Sequence, residues 1–178
     1  MVLDKHTIRQ VMKEKRLSLD TKTFFLYSYN ICQKVKQHPQ YHLAKMIGCY
    51  VSLPGEVDTL HLIEETLKTH ELCVPKVVGE TMSFYKISSL DDLQEGAFHV
   101  LEPTTTQLVQ PQDIDLMIVP MLAYDNHLYR VGYGKGFYDK YFALGFDGYK
   151  LGLAFSFQKV PEIEINLYDL PLDEIICE

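Results

Sequence analysis

The chain has 178 residues, 47% of them hydrophobic and 23% charged, with a formal net charge of -7. That length suits one domain with a substantial core, and the acidic balance argues against nonspecific nucleic-acid binding, which needs a positive surface. No apolar run is long enough for a membrane span, and the opening MVLDKHTIRQ lacks the apolar stretch of an export signal. Residues 4–18 read as an amphipathic helix with Asp4 as its cap. Ile8, Val11 and Met12 share a face that Leu19 continues, while Lys5, Arg9, Lys13 and Arg16 share the other. That basic stripe is either a solvated face or a reach toward phosphates. Ser18 or Asp20 starts a second helix running to His38-Pro39, with Phe25, Tyr29, Cys32 and Val35 as its inner stripe.

KMIGCYVSL, residues 45–53, reads as the first strand, and Pro54-Gly55 breaks it. Glu56 follows just past that strand end, and Asp58 or Thr59 caps a helix with Leu60, Ile63 and Leu67 inside. Ligands of open parallel sheets gather beyond the carboxyl ends of strands. Glu56 is therefore either a carboxylate for a substrate amide or amine, or a loop and capping residue. LCVPKVV, residues 72–78, is a strand in which Pro75 marks an edge, a bulge or an end. Gly79-Glu80 turns it into TMSFYKI, residues 81–87, forming a hairpin outside the parallel repeat. A short helical turn is expected over 88–93, a brief strand over 98–101, and a polar loop from Glu102 to Pro111.

Leu116 to Val119 reads as the central strand, closed by Pro120. Asp125-Asn126 signals a turn. Three glycines at alternate positions, Gly132, Gly134 and Gly136, then open a segment with helical apolar spacing through Tyr141 and Phe142. Glycine lets a ligand approach the backbone, whose N–H groups hold anions. The loop thus suggests a phosphate-bearing ligand, or a mere corner. Its spacing is neither the GxxxxGK of a P-loop nor the dinucleotide fingerprint. Residues 151–155 and 174–177 supply the last strands, joined by a polar connection over 158–171. Strands alternate with helices, predicting one α/β domain over 1–178, with a mainly parallel sheet flanked by helices and a small antiparallel hairpin. Cys32, Cys49, Cys73 and Cys177 form no CxxC pair, so neither zinc knuckle nor dithiol centre is signalled, and a reducing cytoplasmic compartment fits.

The stretch PMLAYDNHLYRVGYGKGFYD, from Pro120 to Asp139, resembles the signature of the 5-formyltetrahydrofolate cyclo-ligase, or methenyltetrahydrofolate synthetase, family. The resemblance extends to Lys5 and Arg9 in a basic first helix, to Glu56 and Thr59 after a strand, to CVPK at 73–76, and to Asp169 and Asp173 before the last strand. It implies an enzyme, a C–N bond-forming ligase, that uses ATP and Mg²⁺ to close 5-formyltetrahydrofolate, with or without a polyglutamate tail, into 5,10-methenyltetrahydrofolate through a phosphorylated formyl oxygen. By the same resemblance, Lys5 and Arg9 contact ATP phosphates. Arg130, Val131, Gly132, Tyr133, Gly134, Lys135, Gly136, Phe137 and Tyr138 form the nucleotide loop, with Arg130, Lys135 and Tyr138 as catalytic residues. Val51 and Glu56 contact the folate, and Asp139 and Asp173 bind the metal, although Asp139 at a helix start also suits a capping role. Lys13 and Arg16 keep the solvated-face reading. Family members resemble monomers, and neither nucleic acid nor membrane is implied as a partner.

Four positions depart from the family pattern. Tyr133 stands where arginine is usual, which predicts weaker anion binding or compensation by Lys135 or Lys76. Phe137 replaces a tyrosine, Met121 a glycine, and Tyr168-Asp169 a His-Asp pair. Two other readings stay open: a phosphosugar or acyl-transfer enzyme in a related fold, and a folate- or nucleotide-binding protein without turnover.

Overall fold

The computed structural model describes residues 2, 4–96 and 99–178. A seven-stranded sheet runs β11-β10-β7-β1-β2-β3-β6 through the middle of the chain. Its strands are β1 (Met46–Cys49), β2 (Glu71–Val78), β3 (Thr81–Ile87), β6 (Leu108–Val109), β7 (Leu116–Val119), β10 (Tyr149–Leu153) and β11 (Glu174–Ile176). The pairs β1–β2, β1–β7, β7–β10 and β10–β11 are parallel, and β2–β3 and β3–β6 are antiparallel. The expected hairpin is therefore the antiparallel flank of the same sheet. Pro75 sits beyond the stretch of β2 that pairs with β1, where a missing N–H costs no parallel ladder bond.

Alternation along these strands splits the core in two. Ile47, Cys49, Leu116, Ile118, Leu151 and Leu153 face one layer, whereas Met46, Met117 and Val119 face the other. Both central strands are buried along their whole length, because helices cover each face. Two small hairpins lie outside the sheet: β4 (Leu93–Glu95) with β5 (Leu101–Pro103), and β8 (Ala123–Tyr124) with β9 (Arg130–Val131). Their two- and three-residue strands are too short for a periodic signal. The strand expected at 98–101 begins instead at Leu101, and Phe98 lies outside the described residues.

The helices correct several sequence assignments. Helix α1 (Lys5–Leu17) is capped by Asp4, whose side chain accepts from the N–H groups of His6 and Thr7. Its buried residues are Ile8, Met12 and Arg16, while Val11 is 42% exposed. The stripe thus follows strict four-residue spacing over Leu122, Ala123 and Val131, and Arg16 belongs to it instead of to the solvated face. Helix α2 (Thr21–Gln37) buries Ser28, Ile31, Cys32 and Val35, leaving Phe25 and Tyr29 more than half exposed. Ser28 belongs inside because its hydroxyl accepts from Asp58 N–H at 3.0 Å, and hydropathy cannot reveal that. Phe24 and Tyr27 take the aromatic role against Phe155. Pro39 starts a further short helix, α3 (Pro39–Leu43), where its missing N–H is harmless. Helix α4 (Leu60–Thr66) follows β1, and α5 (Phe137–Phe142) follows the glycine loop.

Gly148 marks a close approach just before β10. A Cβ added there would stand 2.3 Å from the carbonyl oxygen of Ile114 and 2.7 Å from that of Asp115. Backbone cannot yield as a flexible side chain can. Gly148→Ala is therefore expected to cost about 3 kcal/mol, read as a lower urea midpoint with an unchanged slope.

Candidate functional site

A cavity of about 590 Å³ opens beyond the carboxyl ends of β1 and β7, with Tyr50, Val51 and Pro120 on its wall. Such a size suits a small-molecule ligand, and the position is where open α/β sheets bind. Three segments build its charged side. Helix α1 presents Lys5 and Arg9, the glycine loop presents residues 132–136, and β9 with the start of α5 presents Arg130, Phe137, Tyr138 and Asp139. The rest of the lining is largely apolar, with Val51, Leu53, Pro75, Val77, Met82 and Leu101, and it also includes Glu56.

The glycine loop is shaped by its backbone. Gly134 has φ +106° and Gly136 has φ +66°, a region that side-chain-bearing residues rarely adopt. Arg9 braces the loop from below, donating from Nε to the Gly132 carbonyl at 2.8 Å. Its guanidinium lies 3.5 Å from where a Gly134 Cβ would be. Lys135 is exposed and has no hydrogen-bond or ion-pair partner among the described residues. Lys5 pairs with Asp169, and both line the cavity.

Arg130 is nearly buried, with 6% of its side chain exposed. It donates from Nη1 to Asp139 Oδ1 at 3.1 Å and lies 5.8 Å from the centre of the Tyr138 ring and 5.7 Å from that of Phe142. Asp139 Oδ1 also accepts the Leu170 N–H at 3.2 Å, which fastens the 166–170 loop to α5. The hairpin that carries Arg130 is itself held by Asp125, which is buried and accepts from the N–H groups of His127, Tyr129 and Ile163.

Glu56 is 5% exposed. Its Oε2 accepts the Leu53 N–H at 2.7 Å, and its Oε1 accepts the Tyr133 hydroxyl at 3.0 Å. Burial pushes its carboxyl above the ordinary value, an effect opposed by the Leu53 N–H, the Arg16 charge and Tyr133. Tyr133 is pushed up to about 12 by burial and by the neighbouring Glu56 charge, so its hydroxyl stays protonated. Arg16 completes the set, donating to the Tyr133 hydroxyl at 3.0 Å and to the carbonyls of Gly55 and Pro54 at 2.7 and 3.2 Å.

Among the residues singled out from the sequence, Lys5, Arg9, Val51, Glu56, Arg130, Gly132 to Tyr138 and Asp139 line this cavity together. Val131 lies beneath, buried with Ile8 and Met12. Asp173 is not brought there. It precedes β11, accepts the Lys150 N–H at 2.7 Å, pairs with Lys150 Nζ at 3.3 Å, and lines a separate polar hollow at the opposite ends of the strands. Lys76 lies between the lining residues Pro75 and Val77 and turns to the other face of β2, as strand alternation requires. Arg16, expected on the solvated face, joins this set, and its four-residue spacing from Met12 is the signal in the sequence. Among the described residues, no group of three or more His, Cys, Asp or Glu is placed to hold a metal ion. Among the described residues, no helix is long and apolar enough to cross a membrane.

Residues 2–178 match the 5-formyltetrahydrofolate cyclo-ligase family. The chain belongs to that family. It is 30% identical to the 5-formyltetrahydrofolate cyclo-ligase of Mycoplasma pneumoniae over 98% of each chain. The mouse 5-formyltetrahydrofolate cyclo-ligase is 26% identical, with 98% of this chain and 93% of the mouse protein covered. Among solved structures, the Aquifex aeolicus 5,10-methenyltetrahydrofolate synthetase superposes with a TM-score of 0.88 at 34% identity, over 97% of this chain and 88% of the other. Family membership therefore spans both walls of the cavity.

Proposed function

We propose that the chain converts 5-formyltetrahydrofolate and ATP into 5,10-methenyltetrahydrofolate, ADP and phosphate. The observation that carries this reading is one cavity lined by both cationic and apolar residues, in a chain that matches a cyclo-ligase family along nearly its whole length. The cationic wall of Lys5, Arg9, Arg130 and Lys135, with glycine N–H groups between them, suits a triphosphate. The apolar wall around Glu56 suits a reduced pterin whose amino and ring N–H groups donate to the carboxylate. Val51 lies on the same wall and serves the ring by contact.

An N-formyl amide is a poor electrophile, so its oxygen must become a leaving group. In the proposed course the formyl oxygen attacks the γ-phosphorus and ADP departs. N10 then attacks the activated formyl carbon and loses its proton, and phosphate leaves as the new C–N bond closes the ring. The protein's share is to align these partners and neutralise developing phosphate charge. In this reading Arg130 and Lys135 supply the charge, and Tyr138, whose ring lies 5.8 Å from the Arg130 guanidinium, serves the reacting region. Magnesium favours oxygen ligands and keeps phosphate and water in its shell. Asp139 fits such a site in part: one oxygen is engaged by Arg130 and Leu170 N–H, and Oδ2 has no protein partner among the described residues. Asp173, taken up by Lys150, does not fit beside it.

Binding without turnover is less favoured, because the departure behind it, Tyr133 in place of arginine, is answered by Arg16 on the same hydroxyl. The deciding measurement is growth of methenyltetrahydrofolate absorbance on mixing protein, Mg-ATP and 5-formyltetrahydrofolate, with ADP released in equal amount. Nucleotide binding without that absorbance would leave only a binding protein. Lys135→Ala is expected to raise the KM for ATP about 10-fold, equivalent to about 1.4 kcal/mol, with little change in the KM for the folate. An unchanged KM for ATP would remove Lys135 from the phosphate site.

A further inference from the structure

Arg16, Tyr133 and Glu56 form a chain of donors that joins three separate segments. Arg16 lies on the last turn of α1, Glu56 in the loop after β1, and Tyr133 in the glycine loop. We infer that Arg16 is a positioning residue which, through the Tyr133 hydroxyl, keeps Glu56 ionised and aimed into the cavity, so that Tyr133 serves the folate half of the site and not the phosphates. This rests on the reading of Glu56 as the pterin acceptor.

The direction of the chain follows from the partners. A guanidinium only donates, so the lone pair of the Tyr133 hydroxyl is occupied by Arg16 Nη1 at 3.0 Å. The hydroxyl proton is then left for Glu56 Oε1, also at 3.0 Å. Polarised by a cation at one end and an anion at the other, the hydroxyl bonds more strongly to both. Nε and Nη2 of Arg16 are anchored on Gly55 and Pro54 carbonyls, so the cation cannot swing toward a phosphate without breaking the Glu56 loop.

Among the described residues, no cation other than Arg16 acts on the Glu56 carboxyl. Tyr50, at the end of β1, donates to the Val57 carbonyl at 2.9 Å and stays neutral, burial having pushed it well above its ordinary value. Tyr138, from α5, is pushed up in the same way. Opposition to the desolvation of Glu56 therefore comes from Leu53 N–H, Arg16 and Tyr133. In the family pattern an arginine stands at the Tyr133 position. Here the charge sits one hydroxyl away, on α1, and the loop delivers a donor in place of a cation.

The test uses the ligand-free chain labelled with ¹³C at glutamate carboxyls, with the Glu56 signal assigned through Glu56→Gln. Tyr133→Phe and Arg16→Met should each move the Glu56 titration midpoint upward. In steady state, Tyr133→Phe should raise the KM for 5-formyltetrahydrofolate about 10-fold, the scale of one hydrogen bond to a charged group, and leave the KM for ATP within about twofold. An unmoved midpoint in both variants overturns the inference. So does a raised KM for ATP with an unchanged folate KM, which would place Tyr133 on the phosphates. Should Arg16→Met fail to fold, Tyr133→Phe carries the titration, since residue 133 is 44% exposed and the substitution removes one oxygen atom. A chain that never cyclises the folate yet shows the shifted midpoint would retain this network and lose the proposed reaction.

Discussion

Arg130→Ala is expected to lower folding stability by about 3 kcal/mol and to reduce turnover at least roughly 100-fold. The guanidinium is almost entirely buried between β9 and α5, paired with Asp139 and lying near the Tyr138 and Phe142 rings. Truncation removes the cation and leaves the Asp139 carboxylate, itself only 18% exposed, without its partner. Uncompensated charge in so dry a place is costly, and the partial exposure of Asp139 keeps the loss below the extreme for fully buried pairs. The 166–170 loop would loosen as well, because Asp139 also accepts the Leu170 N–H. Arg130→Lys keeps the charge and loses the planar fork, so it should recover part of the stability and little of the turnover. Urea midpoints and single-turnover rates separate the two effects. Wild-type stability in Arg130→Ala would show that the pair contributes nothing to the fold.

Glu56→Gln is expected to reduce kcat/KM for 5-formyltetrahydrofolate about 100-fold, since a buried charged acceptor for pterin N–H groups becomes a neutral one that also donates. ATP binding should hardly change. The same substitution has a signature in stability. Burial raises the Glu56 carboxyl above its ordinary value of 4.5 in the folded chain. The folded chain therefore binds the proton more tightly than the unfolded chain does. Between 4.5 and the raised folded value, stability falls as pH rises, and it levels off above that value. Glu56→Gln lacks this group, so the difference between wild type and variant should shrink or reverse on going from acid to neutral pH. A stability difference that stays constant across that window would mean Glu56 is not desolvated as its position implies.

Much of the site could be read from residue order. Glycines at 132, 134 and 136 announce backbone angles that other residues resist, and two of the three adopt positive φ. Proline and glycine at 54 and 55 signal the break after the first strand, although β1 already ends at Cys49, and the carboxylate of Glu56 beyond it falls at the mouth of a parallel sheet. What escaped was orientation. Phe25 and Tyr29 looked like core and face outward, because Ser28 claims the interior with one hydrogen bond. Asp173 looked like a partner for Asp139, yet the register of β10 and β11 hands it to Lys150 at the other end of the sheet.

Local chemistry alone therefore determined the main helices and strands, the parallel part of the sheet, and the glycine loop that lines the cavity. Those features depend on backbone preference and on periodicity, and both are written in neighbouring residues. The wiring of Arg16 to Tyr133 and Glu56 was decided only by tertiary structure. Its partners are 117 and 77 residues apart along the chain, and a charge is buried only where distant carbonyls and hydroxyls happen to converge on it.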